Sequence, residues 1–554
     1  MPLALPVFVP DANPLGHQWL SALVAMVPIA VMLVTLGVLH WKAHLAGLTS
    51  LAVTVLVAVA VFSMPLPMAL STSAHGFMYG TFPLGGIVLF AIWMYQVTVI
   101  SGRFEDLRTT FFFISDDPRV LGLLIAFCFG GLLEGLAGFG APVAITTVML
   151  IAIGFSKLRA AVTALLANTV PVAFAAVGLP VFTAAQVSGV PVLEVAPIVG
   201  RMCATLGLLV PFLMLHVMDG RRGVAECWPV AVVVGVVFGA VKWVVSGTHL
   251  YNLTEIFAAV ITVGVTIGLL RVWHPHGGAA ALTRLAEPLD SRLEERAPAP
   301  APVDHTELTG GRIAMALVPY ALVIVVFSIA ALPSVRAALV STDIRVSWPL
   351  LGDLRDTSGA ISRHATYTLT WLSSPGPLLA FVGAIVGLIY KVSLRDLVVE
   401  LWANIVRLRF TMLTIGSVVA IAYVMRDSGQ TYALGLAVAG AGAVYPFVAP
   451  TLGWLGTYVT GSDTSSNLLF ASLQAGVGDQ IGHKQLLVAA GDAGGVVGKM
   501  ISPQSLAIAA SAMARPGSES VILHKVFGWS VLLLVFMCLL TGLMSTPVLG
   551  WLLP

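Results

Sequence analysis

Charged side chains are scarce in this chain. Asp, Glu, Lys and Arg make up 10% of its 554 residues while 58% are hydrophobic, whereas an ordinary soluble domain carries roughly 25% charged residues. Water is therefore excluded as the main solvent. Neither sign of charge dominates, with 28 Lys plus Arg against 26 Asp plus Glu, so nothing calls for a nucleic-acid partner. Cysteine is rare too. Cys128, Cys203, Cys227 and Cys538 lie far apart with no C-x-x-C pair, which argues against a disulfide framework or a metal site and leaves them as packing residues. Neither H-E-x-x-H nor G-x-S-x-G occurs, so two common routes to an intramembrane enzyme are missing, and no cofactor is expected. A basic segment before the first apolar run is also absent. That run follows Asp11, Asn13 and Pro14 and reads as a retained helix with its N-terminus outside rather than a cleaved signal peptide.

What the chain has in abundance is apolar runs of about twenty residues, each long enough to cross a hydrocarbon core of about 30 Å as a helix. They recur from Trp19 to the C-terminus, and about twelve to fourteen spanning segments are expected. Every backbone polar group must be satisfied within the bilayer, and these runs are far longer than the roughly ten alternating residues of a barrel strand. The expected fold is an all-α polytopic membrane protein embedded in lipid.

One stretch breaks the pattern. Residues 272–311 carry Arg284, Glu287, Asp290, Arg292, Glu294, Glu295 and Arg296 and an Ala-Pro run at 298–302, and read as a solvated linker between an N-terminal unit, 1–271, and a C-terminal unit, 312–554. A second loop, 333–370, carries Arg336, Arg345, Arg355 and Arg363, which fit the positive-inside rule poorly if it lies outside. Counting from helices near 19–39, 43–63 and 79–100 places Arg103, Arg108 and Arg119 inside. The next apolar region, 121–155, is best read as a re-entrant hairpin, because Lys157, Arg159, Arg221 and Arg222 then also fall inside. An odd number of crossings precedes the linker on this count, as two inverted repeats with re-entrant hairpins and discontinuous helices require.

Four segments carry candidate chemistry. In the first hairpin, Glu134 is the single charge of a stretch interrupted by Gly135, Gly138, Gly140 and Pro142. Broken backbone at membrane depth must be packed in protein or line a cavity, so a carboxylate there is a candidate proton carrier, with a hydrogen-bonded structural glutamate as the competing reading. Residues 460–467, with Gly461, Asp463, Ser465, Ser466 and Asn467, are short hydroxyl and amide groups suited to a second hairpin tip that cradles an anion, and Asp463 is a second proton candidate. Residues 494–505 hold Gly498, Lys499, Ser502, Pro503 and Gln504. Pro503 breaks a helix and Lys499 is the best counter-charge for a carboxylate, while Ala493 and Met500 stand where a nucleotide-binding loop needs Gly and Ser or Thr. The first-half counterpart is Asn168-Thr169-Val170-Pro171, a second helix break that exposes an amide and backbone carbonyls.

The stretches FCFGGLLEGLAGFGAPVAIT (127–146), NTVPVAF (168–174), MDGRRG (218–223), GWLGTYVTGSDTSSN (453–467) and GGVVGKMISPQS (494–505) resemble the bacterial L-lactate permease family of proton-linked lactate and glycolate transporters. The resemblance runs in order over nearly the whole chain. It implies a carrier in the bacterial cytoplasmic (inner) membrane that imports L-lactate and related short 2-hydroxy monocarboxylates, glycolate and D-lactate, with a proton. Where the family tends to have amides before GGV-x-GKM, this chain has Gly491 and Asp492. The expected site holds the substrate carboxylate on Lys499, Ser502 and the Ser465–Asn467 tip and its hydroxyl on Asn168 or Gln504. Glu134 or Asp463 takes the proton. A carrier of another small organic anion and an intramembrane enzyme are the alternatives; the oligomeric state stays open.

Overall fold

The computed structural model describes residues 7–39, 41–136, 138, 140–290, 309–355, 361–362, 365–440, 442–515 and 517–554. Among them, nine helices are long and apolar enough to cross a membrane. The longest, Val192–Ser246, is interrupted at Asp219 and Gly220 and forms two legs. Counting both legs, the bent pair Lys157–Ala167 with Val172–Ser188, and the apolar helix Pro375–Ile389 gives twelve apolar elements, one of which, Pro118–Leu136, is an arm of a re-entrant hairpin. Almost everything is helix, but the loop after residue 333 holds an unforeseen antiparallel ribbon, Ile344–Ser347 with Thr366–Leu369.

The helices Gln18–Gly37, Ala43–Ala60, Leu66–Ile100, Gly310–Ala331, Pro375–Ile389 and Leu394–Ser428 pack largely on one another. Small residues set their closest crossing. A Cβ on Gly76 would stand 2.7 Å from Ala420 Cα, and one on Gly80 2.8 Å from Gly416 Cα. Two small-x-x-x-small faces thus meet backbone to backbone, which lets dispersion contacts replace the hydrophobic drive that lipid removes. At Gly80–Leu84 the third helix widens into a π turn around Pro83, which lacks an N–H to donate.

The remaining helices assemble around two hairpins and two broken helices. The first hairpin rises through Pro118–Leu136, every residue of it buried, and returns as Ala141–Ala152. Gly138 and Gly140 sit at φ +55° and +85°, a left-handed turn that side chains resist. Its two ends come back together, since a Cβ on Gly122 would stand 3.1 Å from the Phe155 ring, so the segment re-enters rather than crosses. The second hairpin is Pro450–Thr460, a turn at Gly461 with φ +74°, and Asp463–Ile481. The return arm of each hairpin packs on the far limb of the other half's broken helix: Ala141–Ala152 on Pro503–Ala512, and Asp463–Ile481 on Ala175–Ser188. That reciprocal exchange is what two-fold related repeats produce.

One face is tied by an ion network. Buried Arg119 donates to both Asp117 oxygens, to Asp219 Oδ2 at 3.1 Å, to Glu226 and to the His276 carbonyl at 2.6 Å, and Arg284 donates to both oxygens of Asp219. Arg159 reaches the Val217 and Met218 carbonyls beside it. The start of the first hairpin, the kink of the long helix and the segment after residue 272 are thereby joined. That segment departs from a solvated linker in its described part, because Gly278–Ala286 is a helix with Ala281 and Leu285 fully buried. Arg292, Glu294, Glu295, Arg296 and the Ala-Pro run fall outside the described residues, as does Arg363. Arg312, just past the linker, bonds Asp106 at 2.7 Å on the same face.

Replacing Arg119 with Met leaves buried Asp117 without its cation and Asp219 with Arg284 alone. A loss of about 3–5 kcal/mol is expected for breaking a buried pair, read as a lower Tm of the detergent-solubilised protein, with Arg108→Met, whose charge is exposed, near wild type.

Candidate functional site: a buried ion pair where hairpin and broken helix meet

The first broken helix stops at Asn168 because Pro171 has no N–H and disfavours a helical residue before it. The chain passes through the 3-10 turn Val172–Phe174 and then through three left-handed residues, Ala176, Val177 and Gly178, at φ 42°, 60° and 76°. Two of these carry side chains and one is β-branched, a costly backbone that neighbouring structure must hold in place. The two limbs are bent by 61°. In the second broken helix, Lys484–Gly498 runs into the 3-10 turn Lys499–Ile501, and Ser502 caps a new helix, Pro503–Ala512, by accepting from Ser505 N–H. Serine at the cap and proline at the first helical position is a favoured start.

Glycines ahead of this second break serve packing rather than the break itself. The helix runs unbroken through Gly494, Gly495 and Gly498, and the glycines admit the outward arm of the second hairpin against its backbone. A Cβ on Gly494 would stand 2.1 Å from Pro450 O, one on Gly498 2.3 Å from Trp454 O, and one on Gly453 1.7 Å from Gly491 O. Only at Lys499–Ser502 does the helix break.

These elements bring Glu134 and Lys499 together. Lys499 Nζ donates to Glu134 Oε1 at 2.5 Å, and Asn168 Nδ2 donates to Glu134 Oε2 at 2.9 Å. Glu134 is fully buried and the lysine nearly so. Lys499 thus pairs with neither Asp492 nor Asp463, the partners nearer in sequence. A cavity of about 40 Å³ lies beside the pair, lined by Gly138, Gly461, Ser462, Asp463, Thr464 and Gln504, with apolar walls from Ala175, Ala176, Leu179 and Pro180 of the first broken helix. Its volume is close to one water's share of the liquid, about 30 Å³.

Of the other expected ligands, several hydroxyls are engaged in holding backbone. Thr169 Oγ1 donates to Leu166 O at 2.7 Å, Ser466 Oγ to Gly453 O at 2.9 Å, and Ser502 Oγ to Lys499 O at 3.0 Å. Ser465 is half-buried and donates its backbone N–H to the Ser462 cap. Gln504 is exposed to the cavity beside Gly461. Asn467 donates to Pro180 O at 3.3 Å and to Asp492 Oδ1.

Sequence inspection missed a second ion pair, between buried Lys242 and Glu255. Lys242 Nζ also donates to Val170 O at 2.6 Å in the first helix break and lies over the Phe174 and Phe238 rings. Gly135 lets the Glu255 helix close in, since a Cβ there would stand 2.9 Å from Glu255 Cβ. The signal was present as an isolated lysine and an isolated glutamate in apolar runs, which at membrane depth must find partners. Among the described residues no three His, Cys, Asp or Glu side chains converge as metal ligands.

A family model described as L-lactate permease matches residues 21–548. The chain belongs to the L-lactate permease family. Glycolate permease GlcA of Escherichia coli (strain K12) is 38% identical to it over 520 residues, covering 92% of each chain. An L-lactate permease of Bacillus subtilis (strain 168) is 35% identical over 97% of this chain and 98% of its own, and one of Escherichia coli (strain K12) 34% identical over 98% of both. A lactate permease family member with this helix content is a multi-pass membrane carrier, not an enzyme, and the ion pair sits on motifs that extend through the matched region.

Gly453→Ala is expected to cost at least the roughly 1–3 kcal/mol of ordinary overpacking, because the obstacle is backbone. Gly528→Ala, which meets nothing within 4 Å, should be neutral or slightly stabilising. Paired Tm measurements on the two variants check this.

Proposed function

We propose that this permease imports L-lactate and related short 2-hydroxy monocarboxylates, glycolate and D-lactate among them, across the bacterial cytoplasmic membrane together with a proton. The names of its relatives, lactate and glycolate permeases, support the substrate class. The buried Glu134–Lys499 pair is the single observation that carries the coupling. Its logic is competition for one cation. A substrate carboxylate that takes Lys499 leaves Glu134 unpaired in a low-dielectric site, where an uncompensated carboxylate is too costly to keep. Protonating Glu134 removes that charge, so anion and proton load together.

The same geometry explains how the site receives its substrate. A cavity of about 40 Å³ is too small for lactate, so breaking the pair and parting the second hairpin tip from Gln504 must open it. The N-termini of Asp463–Ile481 and Pro503–Ala512 both border the cavity, and the positive ends of these helices favour an anion beside Lys499. In this scheme Asn168, released from Glu134, or Gln504 meets the substrate hydroxyl, and Ser465 flanks the carboxylate. One proton per monovalent anion makes the cycle electroneutral. The pH gradient then drives it, with one unit worth about 1.4 kcal/mol or tenfold accumulation, and the N-terminus faces outside with the Arg119 face inside.

Labelled L-lactate uptake into proteoliposomes under an inward proton gradient tests this. Glu134→Gln is expected to lose gradient-driven accumulation, about tenfold per pH unit, yet keep counterflow, while Lys499→Gln loses both. Glycolate should compete. Undiminished accumulation by Glu134→Gln would remove Glu134 from the coupling, and no accumulation by active wild type would end the proton-symport proposal.

A further inference from the structure

Both lysines at the centre of the protein already have carboxylate partners: Lys499 holds Glu134 and Lys242 holds Glu255. Two further carboxyls lie in the same buried region with no cation bonded to either among the described residues. Asp463 stands at the start of the return arm of the second hairpin, and Asp492 on the first limb of the second broken helix. They are 3% and 0% exposed, and the two helices meet at this level, where Asn467, one turn beyond Asp463, donates to Asp492 Oδ1. Gly495, one turn beyond Asp492 on the same helix, makes room for this, since a Cβ there would stand 1.9 Å from Asp463 Oδ1.

Their hydrogen-bond inventory is incomplete in a specific way. Asp492 Oδ1 accepts from Asn467, and Asp463 Oδ1 faces the Thr457 hydroxyl at 3.4 Å. The Oδ2 atoms of both are buried and have no donor. Two ionised carboxylates side by side with two unsatisfied oxygens combine like-charge repulsion with the desolvation cost of each. A single O–H on one carboxyl, donated to the other, removes the repulsion, neutralises one of the two groups and gives both oxygens a partner. Charge balance points the same way: four central carboxylates, Glu134, Glu255, Asp463 and Asp492, face two lysines.

We propose that Asp463 and Asp492 form a proton-sharing pair that holds one proton between them, a binding site separate from Glu134. The pair carries one negative charge instead of two, and the proton bridges the hairpin tip to the broken helix. Paired carboxyls of this kind titrate as a unit, so the proton belongs to the pair rather than to either residue. Asn467 orients Asp492, and the nearest cations, Lys499 and Lys242, stay with their own partners. The proposal rests on the transport reading only for the use to which the proton is put.

Infrared difference spectroscopy of the full-length protein in proteoliposomes tests it. Wild type at neutral pH should show a protonated-carboxyl C=O band that shifts in D2O and disappears on alkalinisation. Asp463→Asn and Asp492→Asn should each lose one carboxyl's intensity, because in each variant the amide donates to the remaining, ionised carboxylate. A monodisperse size-exclusion profile and a Tm near wild type for each detergent-solubilised variant establish that it is folded. An unchanged band in both folded variants, or loss in one alone, overturns the shared proton. A wild type that shows the band but moves no lactate leaves the proton-sharing pair standing and removes the transport reading instead.

Discussion

Glu134 and Lys499 are 365 residues apart in the chain yet bonded at the centre of the protein, and most of the surrounding architecture follows from what it takes to keep such a pair in a medium that solvates charge poorly. A carboxylate and an ammonium buried this deeply must find each other, and remaining lone pairs must be filled. Asn168 fills one of them from the first helix break. Both charges therefore sit where a helix is interrupted or turns back, because only there does backbone at membrane depth have groups to offer a ligand. The pair is stable only while nothing competes for the lysine, and this makes it responsive to an anion.

The interruptions themselves are held by close backbone approach. Gly453 against Gly491, and Gly494 and Gly498 against the opposing arm, bring the second hairpin to its broken helix with no side chain between them. Lipid supplies no hydrophobic push between helices, so close packing and buried hydrogen bonds must supply the cohesion. Lys242 contributes in the first half by reaching the carbonyl of Val170, exposed by the Pro171 break. Each break is thus braced by a lysine, one paired internally with Glu255 and the other with Glu134 across the halves.

Reciprocal packing of hairpin arms on the opposite half's broken helix gives the centre its composite character. No single repeat contains the site. The Arg119 network lies at one face, well away from it, and anchors the start of the first hairpin to the kink of the long helix. One end of the hairpin is therefore fixed in place while its tip bears on the cavity through Glu134 and Gly138.

The sequence by itself determined the solvent, the helical class, both hairpins and both breaks, because length, hydropathy and the backbone limits of glycine and proline are local properties. It also marked Glu134, Asp463 and Lys499 as costly charges needing a purpose. Tertiary structure decided their partners. Lys499 bonds Glu134 rather than the nearby aspartates, Asn467 turns to Asp492 instead of lying free at a tip, and Thr169 and Ser466 hold backbone. The glycines before Lys499 form a contact surface whose facing arm lies some forty residues earlier in the chain. Pairings of this kind depend on which surfaces pack together, and that is fixed only when distant segments meet.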